Sequence, residues 1–108
     1  MCQIYAGQTP DSYQPVTRRL RLSGHSTSIR LEGVFWTVLD RMAAREGVST
    51  PRFVSRLHDE VLDLRGEARN FASLLRCACL AEAAQGVRQA WPQPVHRATT
   101  ASYALAAE

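Results

Sequence analysis

The sequence predicts a mainly α-helical chain built on a short β-ribbon, and three observations predict it. Thr27 to Leu31 alternates polar and apolar residues, the two-residue period of a half-buried strand. Directly after Glu32-Gly33 the period changes: Val34, Phe35, Val38, Leu39 and Met42 recur at three- and four-residue steps, the buried stripe of a helix. Gly47 stops that helix, and Ser49 or Thr50 followed by Pro51 opens a second, with the stripe Phe53, Val54, Leu57, Val61 and Leu64. A lone strand is unstable, and two helices this short bury too little surface. The strand needs a partner, and a second copy of the chain is the cheapest one.

Before this core, Met1 to Pro15 is read as an irregular N-terminal arm (residues 1–15), laid on the domain because Ile4, Tyr5 and Tyr13 need cover. The core spans residues 16–65. Within it, strands are expected at about 17–22 and 27–31 and helices at about 33–46 and 50–65. Val16 to Leu22 is the additional strand, with Leu20 and Leu22 on one face and Arg19 and Arg21 on the other; Ser23-Gly24-His25-Ser26 is its turn. Gly66 breaks the second helix. Asn70 caps a third, placed within residues 66–86, with Phe71, Leu74, Leu75 and Ala78 as its stripe. From Val87 the pattern fades, and residues 87–108 read as a mobile tail.

The strand, helix, Arg45-Glu46-Gly47-Val48-Ser49 turn and second helix together resemble the ribbon-helix-helix fold of small bacterial repressors such as Arc and MetJ. TSIRLEGVFW with LHDEVLDLRGEARNFASLLR looks closer still to short bacterial ribbon-helix-helix proteins that carry a third helix. The resemblance implies an intertwined homodimer whose paired strands form an antiparallel ribbon that enters the DNA major groove.

Length and composition limit the alternatives. A chain of 108 residues supports one domain, and its 45% hydrophobic content is ordinary for a folded protein. No run suits a membrane span and MCQIYAGQ lacks a signal pattern, so a cytoplasmic protein is expected. Three cysteines, Cys2, Cys77 and Cys79, form no paired framework. The net charge is +3, but Val16 to Glu32 holds Arg18, Arg19, Arg21 and Arg30 against Glu32 alone. Gly33 to Arg69 balances six arginines against six acids, so the basic excess sits on the ribbon.

With Ile29 and Leu31 facing the helices, Ser26, Ser28 and Arg30 face outward, where they can bond base edges. Arg19 and Arg21 suit phosphates. So do Ser49, Thr50 and Arg52, where the second helix presents free N–H groups and its dipole. A difficulty accompanies the extra strand. A groove about 12 Å wide admits two strands, whereas four at about 4.8 Å spacing span roughly 19 Å. His58-Asp59-Glu60 point about 100° apart on a helix and do not converge on an ion. Cys77-Ala78-Cys79 lacks a second ligand pair, so its cysteines read as small buried helix residues. Trp36 is a packing residue. No catalytic, metal or cofactor site is expected, nor an enzyme. The expected function is that of a dimeric DNA-binding transcriptional regulator. The competing one is an antitoxin- or scaffold-like module that binds a protein partner through the third helix or the arm.

Overall fold

A computed structural model describes residues 2–85. Two short helices, α1 (Cys2–Ala6) and α2 (Pro10–Tyr13), precede a hairpin of β1 (Pro15–Leu22) and β2 (His25–Glu32); α3 (Gly33–Arg45), α4 (Thr50–Arg65) and α5 (Phe71–Ala83) follow. The tail expected from Val87 lies outside the described residues.

The hairpin closes over two residues rather than four. Ser23 and Gly24 have φ values of 52° and 83°, the left-handed pair that a tight turn requires when its twist must match the strands. Both strands therefore run longer than their apolar alternation suggests. Their antiparallel register sets Val16 opposite Leu31, Arg18 opposite Ile29, Leu20 opposite Thr27 and Leu22 opposite His25.

One face of this ribbon carries Leu20, Leu22, Ile29 and Leu31, all buried, with Leu31 fully so. They pack with Trp36 and Leu39 of α3, Val54 of α4, and Leu75 and Cys79 of α5 into one core. This revises the reason given for a second copy: β1 and the chain's own three helices cover the apolar strand face. Of the apolar residues on that face, Val16, opposite Leu31, stays exposed at 42%.

The helix stripes are narrower than the periodicity suggests. On α3 the buried positions are Trp36, Leu39 and Ala43, while Val34 is exposed. The indole N–H of Trp36 donates to the Val16 carbonyl at 2.8 Å, joining helix to strand. On α4 only Val54 is buried. Phe53, Leu57 and Val61 are half-buried, and Leu64 is 80% exposed. Gly66 ends α4 at a φ of 80°, its N–H bonded to the Leu62 carbonyl. Asn70 holds the N-cap position of α5 in a left-handed conformation, but its side chain makes no capping bond; its carbonyl accepts from the Leu74 N–H instead.

The arm is helical rather than irregular. Ile4, Tyr5 and Tyr13 are all exposed, so hydrophobic cover does not explain its position. Backbone packing does: the Gly33 N–H donates to the Gln14 carbonyl at 2.9 Å. A Cβ on Gly33 would come within 2.2 Å of the Asp11 carbonyl oxygen, so only glycine admits this approach.

Candidate nucleic-acid interface

Because side chains alternate along a strand, burying Leu20, Leu22, Ile29 and Leu31 turns Thr17, Arg19, Arg21, Ser26, Ser28 and Arg30 outward. All six are exposed. The register sets Arg30 opposite Thr17, Arg19 opposite Ser28, and Arg21 opposite Ser26. Arg19 and Arg21, two positions apart, are separated by about 6.6 Å along the strand. Arg30 lies diagonally across from Arg19, at roughly 7–8 Å. These spacings fall within the Debye length of about 8 Å at physiological salt, so Arg19 acts on a ligand together with Arg21 on one side and with Arg30 on the other.

Among the described residues, acids do not neutralise this face. Glu32, at its end, accepts from Arg76 of α5 at 2.9 Å. The Arg76 guanidinium holds the Glu32 carboxyl below the usual carboxylate range. Neither the arm nor α5 lies over the outer face: the arm meets α3, and α5 packs on α3 and on β2 from the buried side.

The four ribbon arginines do not share one role. Arg18 is on the inner face. Its guanidinium makes two hydrogen bonds to Asp40, at 2.9 and 3.1 Å, and lies 4.5 Å from the centre of the Trp36 ring. Asp40 also accepts from the Thr50 hydroxyl at 2.6 Å. Arg18 and its partners hold β1, α3 and α4 together, so the basic excess of the ribbon overstates its outward charge by one.

The start of α4 is more occupied than free N–H groups from Thr50 to Phe53 would imply. Pro51 has no N–H, Arg52 donates to the Ser49 hydroxyl at 3.3 Å, and Phe53 donates to the Ser49 carbonyl at 2.9 Å. Thr50 is half-buried with its hydroxyl committed to Asp40. Among the described residues this leaves the Thr50 N–H and the exposed Arg52 side chain. A cleft of about 540 Å³ lies between this helix end and β1, lined by Arg21, Ser49, Arg52 and Arg56, with Asp59 as its one acid. Arg56 is not marked by the sequence pattern, although it follows Arg52 by one helical turn and so shares its face. Arg21 also donates to the Gly24 carbonyl at 2.9 Å, which holds its guanidinium near the hairpin tip.

His58 and Asp59 converge after all, though not on an ion. The Ser23 hydroxyl lies 3.3 Å from His58 Nδ1 and donates to Asp59 at 3.2 Å, docking the hairpin tip on α4. The His58 ring stands edge-on to Phe71, with centroids 5.0 Å apart. On α5, Cys77 is exposed and Cys79 is buried against the Phe35 carbonyl, so the expectation of a buried pair fails for Cys77.

A two-stranded ribbon running straight into two helices defines a class of small proteins, and a ribbon-helix-helix domain profile matches residues 15–83. The chain belongs to the ribbon-helix-helix family. Among solved structures it is similar to an uncharacterized protein from Bordetella pertussis Tohama I. The two are 40% identical with a TM-score of 0.80, over 90% of this chain and 81% of that one. No curated protein matches. No helix among the described residues is long and apolar enough to cross a membrane.

Proposed function

We propose that this chain is a DNA-binding transcriptional regulator that reads the major groove with the outer face of its hairpin. The observation that carries the reading is a face that no other described residue covers, bearing Arg19, Arg21 and Arg30 among Thr17, Ser26 and Ser28, with Glu32 at its end engaged by Arg76. Arginine bonds guanine edges in pairs and serine accepts or donates to several bases, so Arg30, Ser26 and Ser28 suit base contact. Arg19, Arg21, Ser49, the Thr50 N–H and Arg52 suit flanking phosphates.

The homodimer belongs to the same proposal, with α4 as its interface. Phe53, Arg56, Leu57 and Glu60 line one groove on α4, and Leu64 continues the same face. Arg56 and Glu60 are one turn apart, so an antiparallel copy of α4 would set each against its opposite charge.

Salt-titrated binding to random and genomic duplexes tests the reading. Binding should weaken steeply with salt, and Arg19→Ala should lower the slope by about 1 without changing sequence preference. Arg30→Ala should cost about 1–3 kcal/mol per base contact and relax preference at those positions. Protein that binds no DNA at low salt, or an Arg30→Ala variant that binds its best site as wild type does, would overturn the reading. A protein-interaction role would then lead, resting on the exposed Leu64 and Leu80.

A further inference from the structure

The outer row of β2 ends in a charge of the wrong sign for a DNA-reading face. Ser26, Ser28, Arg30 and Glu32 share that row, and Glu32 follows Arg30 at about 6.6 Å along the strand. Across the hairpin Arg30 stands opposite Thr17 and Glu32 opposite Pro15, so the register gives neither a charged partner on β1. Both side chains are long enough to close the gap between them. An Arg30 paired with Glu32 would offer a base edge neither its full charge nor its full set of N–H donors.

The two do not pair, because α5 supplies another cation. Arg76 donates from Nε to Glu32 at 2.9 Å and from Nη2 to the Arg30 backbone carbonyl at 3.4 Å. Among the described residues the Arg30 side chain makes no ion pair. The Arg76 and Glu32 side chains are each 34% exposed, so water screens them less than it would a pair on the open strand. Arg76 is also held from its own side: it follows the fully buried Leu75, and its guanidinium lies 6.0 Å from the centre of the Phe35 ring. The Arg76 hydrogen bond does most to hold the Glu32 carboxyl below its usual range, and the charge of Arg30 does least.

We propose that Arg76 is a positioning residue for DNA readout: by taking the Glu32 carboxylate it leaves the Arg30 guanidinium free for a base edge. This rests on the DNA reading above. It gives the third helix a part in that reading, although α5 packs on β2 from the buried side. Arg76 acts only through Glu32 and Arg30, so its effect on binding depends on both being present.

Double-mutant cycles on DNA affinity, read at low salt on the tightest-binding genomic duplex, test this role. Arg76→Gln lets Glu32 turn to Arg30 and should weaken binding roughly three- to sixfold, the Coulomb effect of unit charges about 4–7 Å apart in water. Arg76→Lys, which keeps a cation beside Glu32, should recover most of that loss. Glu32→Gln should raise affinity by a larger factor in Arg76→Gln than in wild type, and Arg76→Gln should cost less than about twofold in Arg30→Ala. A mere change in net charge would give the same factor in every background, and a merely structural Arg76 would lower the Tm with no rescue by Glu32→Gln. Either result, or Arg76→Gln binding as wild type does, would overturn the positioning role and leave the DNA reading standing. The Glu32 carboxyl, followed by NMR, should keep its low titration in Arg30→Ala, which retains Arg76. Its return there to the ordinary range near about 4.3 would make Arg30 its partner and overturn the proposal, even where Arg76→Gln does not fold. Wild type that binds no DNA would overturn both the reading and this role.

Discussion

Replacing Arg18 with alanine should destabilise the fold, whereas replacing its neighbour Arg19 should weaken DNA binding and leave stability nearly unchanged. The two side chains leave β1 on opposite faces. Arg18 makes two bonds to Asp40, but the side chains of the pair are 37% and 45% exposed, so solvent screening limits the pair to about 1 kcal/mol. Its guanidinium over the Trp36 ring adds about 0.5–1 kcal/mol. The expected loss is therefore about 1.5–2 kcal/mol, a fall in Tm of roughly 6–16 °C for a domain of this size. Urea and thermal unfolding measure it.

An acid titration provides an independent check on the same pair. The Arg18 hydrogen bonds hold the Asp40 carboxyl below its usual range, partial burial opposes them, and the Thr50 bond assists. A carboxyl whose pKa is lower in the folded state stabilises the fold above its unfolded value of about 3.9. That contribution is lost as the pH falls through the lower folded value. Wild type should therefore lose stability below about pH 4, and Arg18→Ala should lose less over the same interval. An Arg18→Ala variant within about 0.5 kcal/mol of wild type at neutral pH, the ordinary range for an unconstrained surface site, would refute the reasoning.

Two other predictions concern α5. Leu75 is fully buried between this helix and the ribbon, so Leu75→Ala should cost about 2–5 kcal/mol by urea unfolding; a truncation after Gly66 should also melt lower than the full chain. Burial pushes the Cys79 thiol up to about 11, while Cys77 is exposed. In native protein at neutral pH, site-resolved alkylation by mass spectrometry should therefore modify Cys77 and spare Cys79 until the chain is denatured. Equal labelling of the two would show that α5 does not stay docked.

Local periodicity determined which faces turn inward. The alternation of Ile29 and Leu31 on β2, and of Leu20 and Leu22 on β1, already sends Ser28, Arg30, Arg19 and Arg21 to the other side, because adjacent strand residues must point apart. Glycines 47 and 66 mark helix ends for an equally local reason, the φ of 76° and 80° that they adopt. What lies across the chain could not be read this way. The role of Arg18 depends on Asp40, 22 positions later, and nothing local distinguishes it from Arg19 beyond the parity of the strand. The arm's position depends on the missing Cβ of Gly33 against Asp11, and the tie between β2 and α5 on Arg76, 46 positions after Arg30. Above all, periodicity shows that a strand has an apolar face but not what covers it. Only the tertiary structure decided that β1, α3, α4 and α5 of the same chain do so, since burial is a property of all the surfaces that meet there.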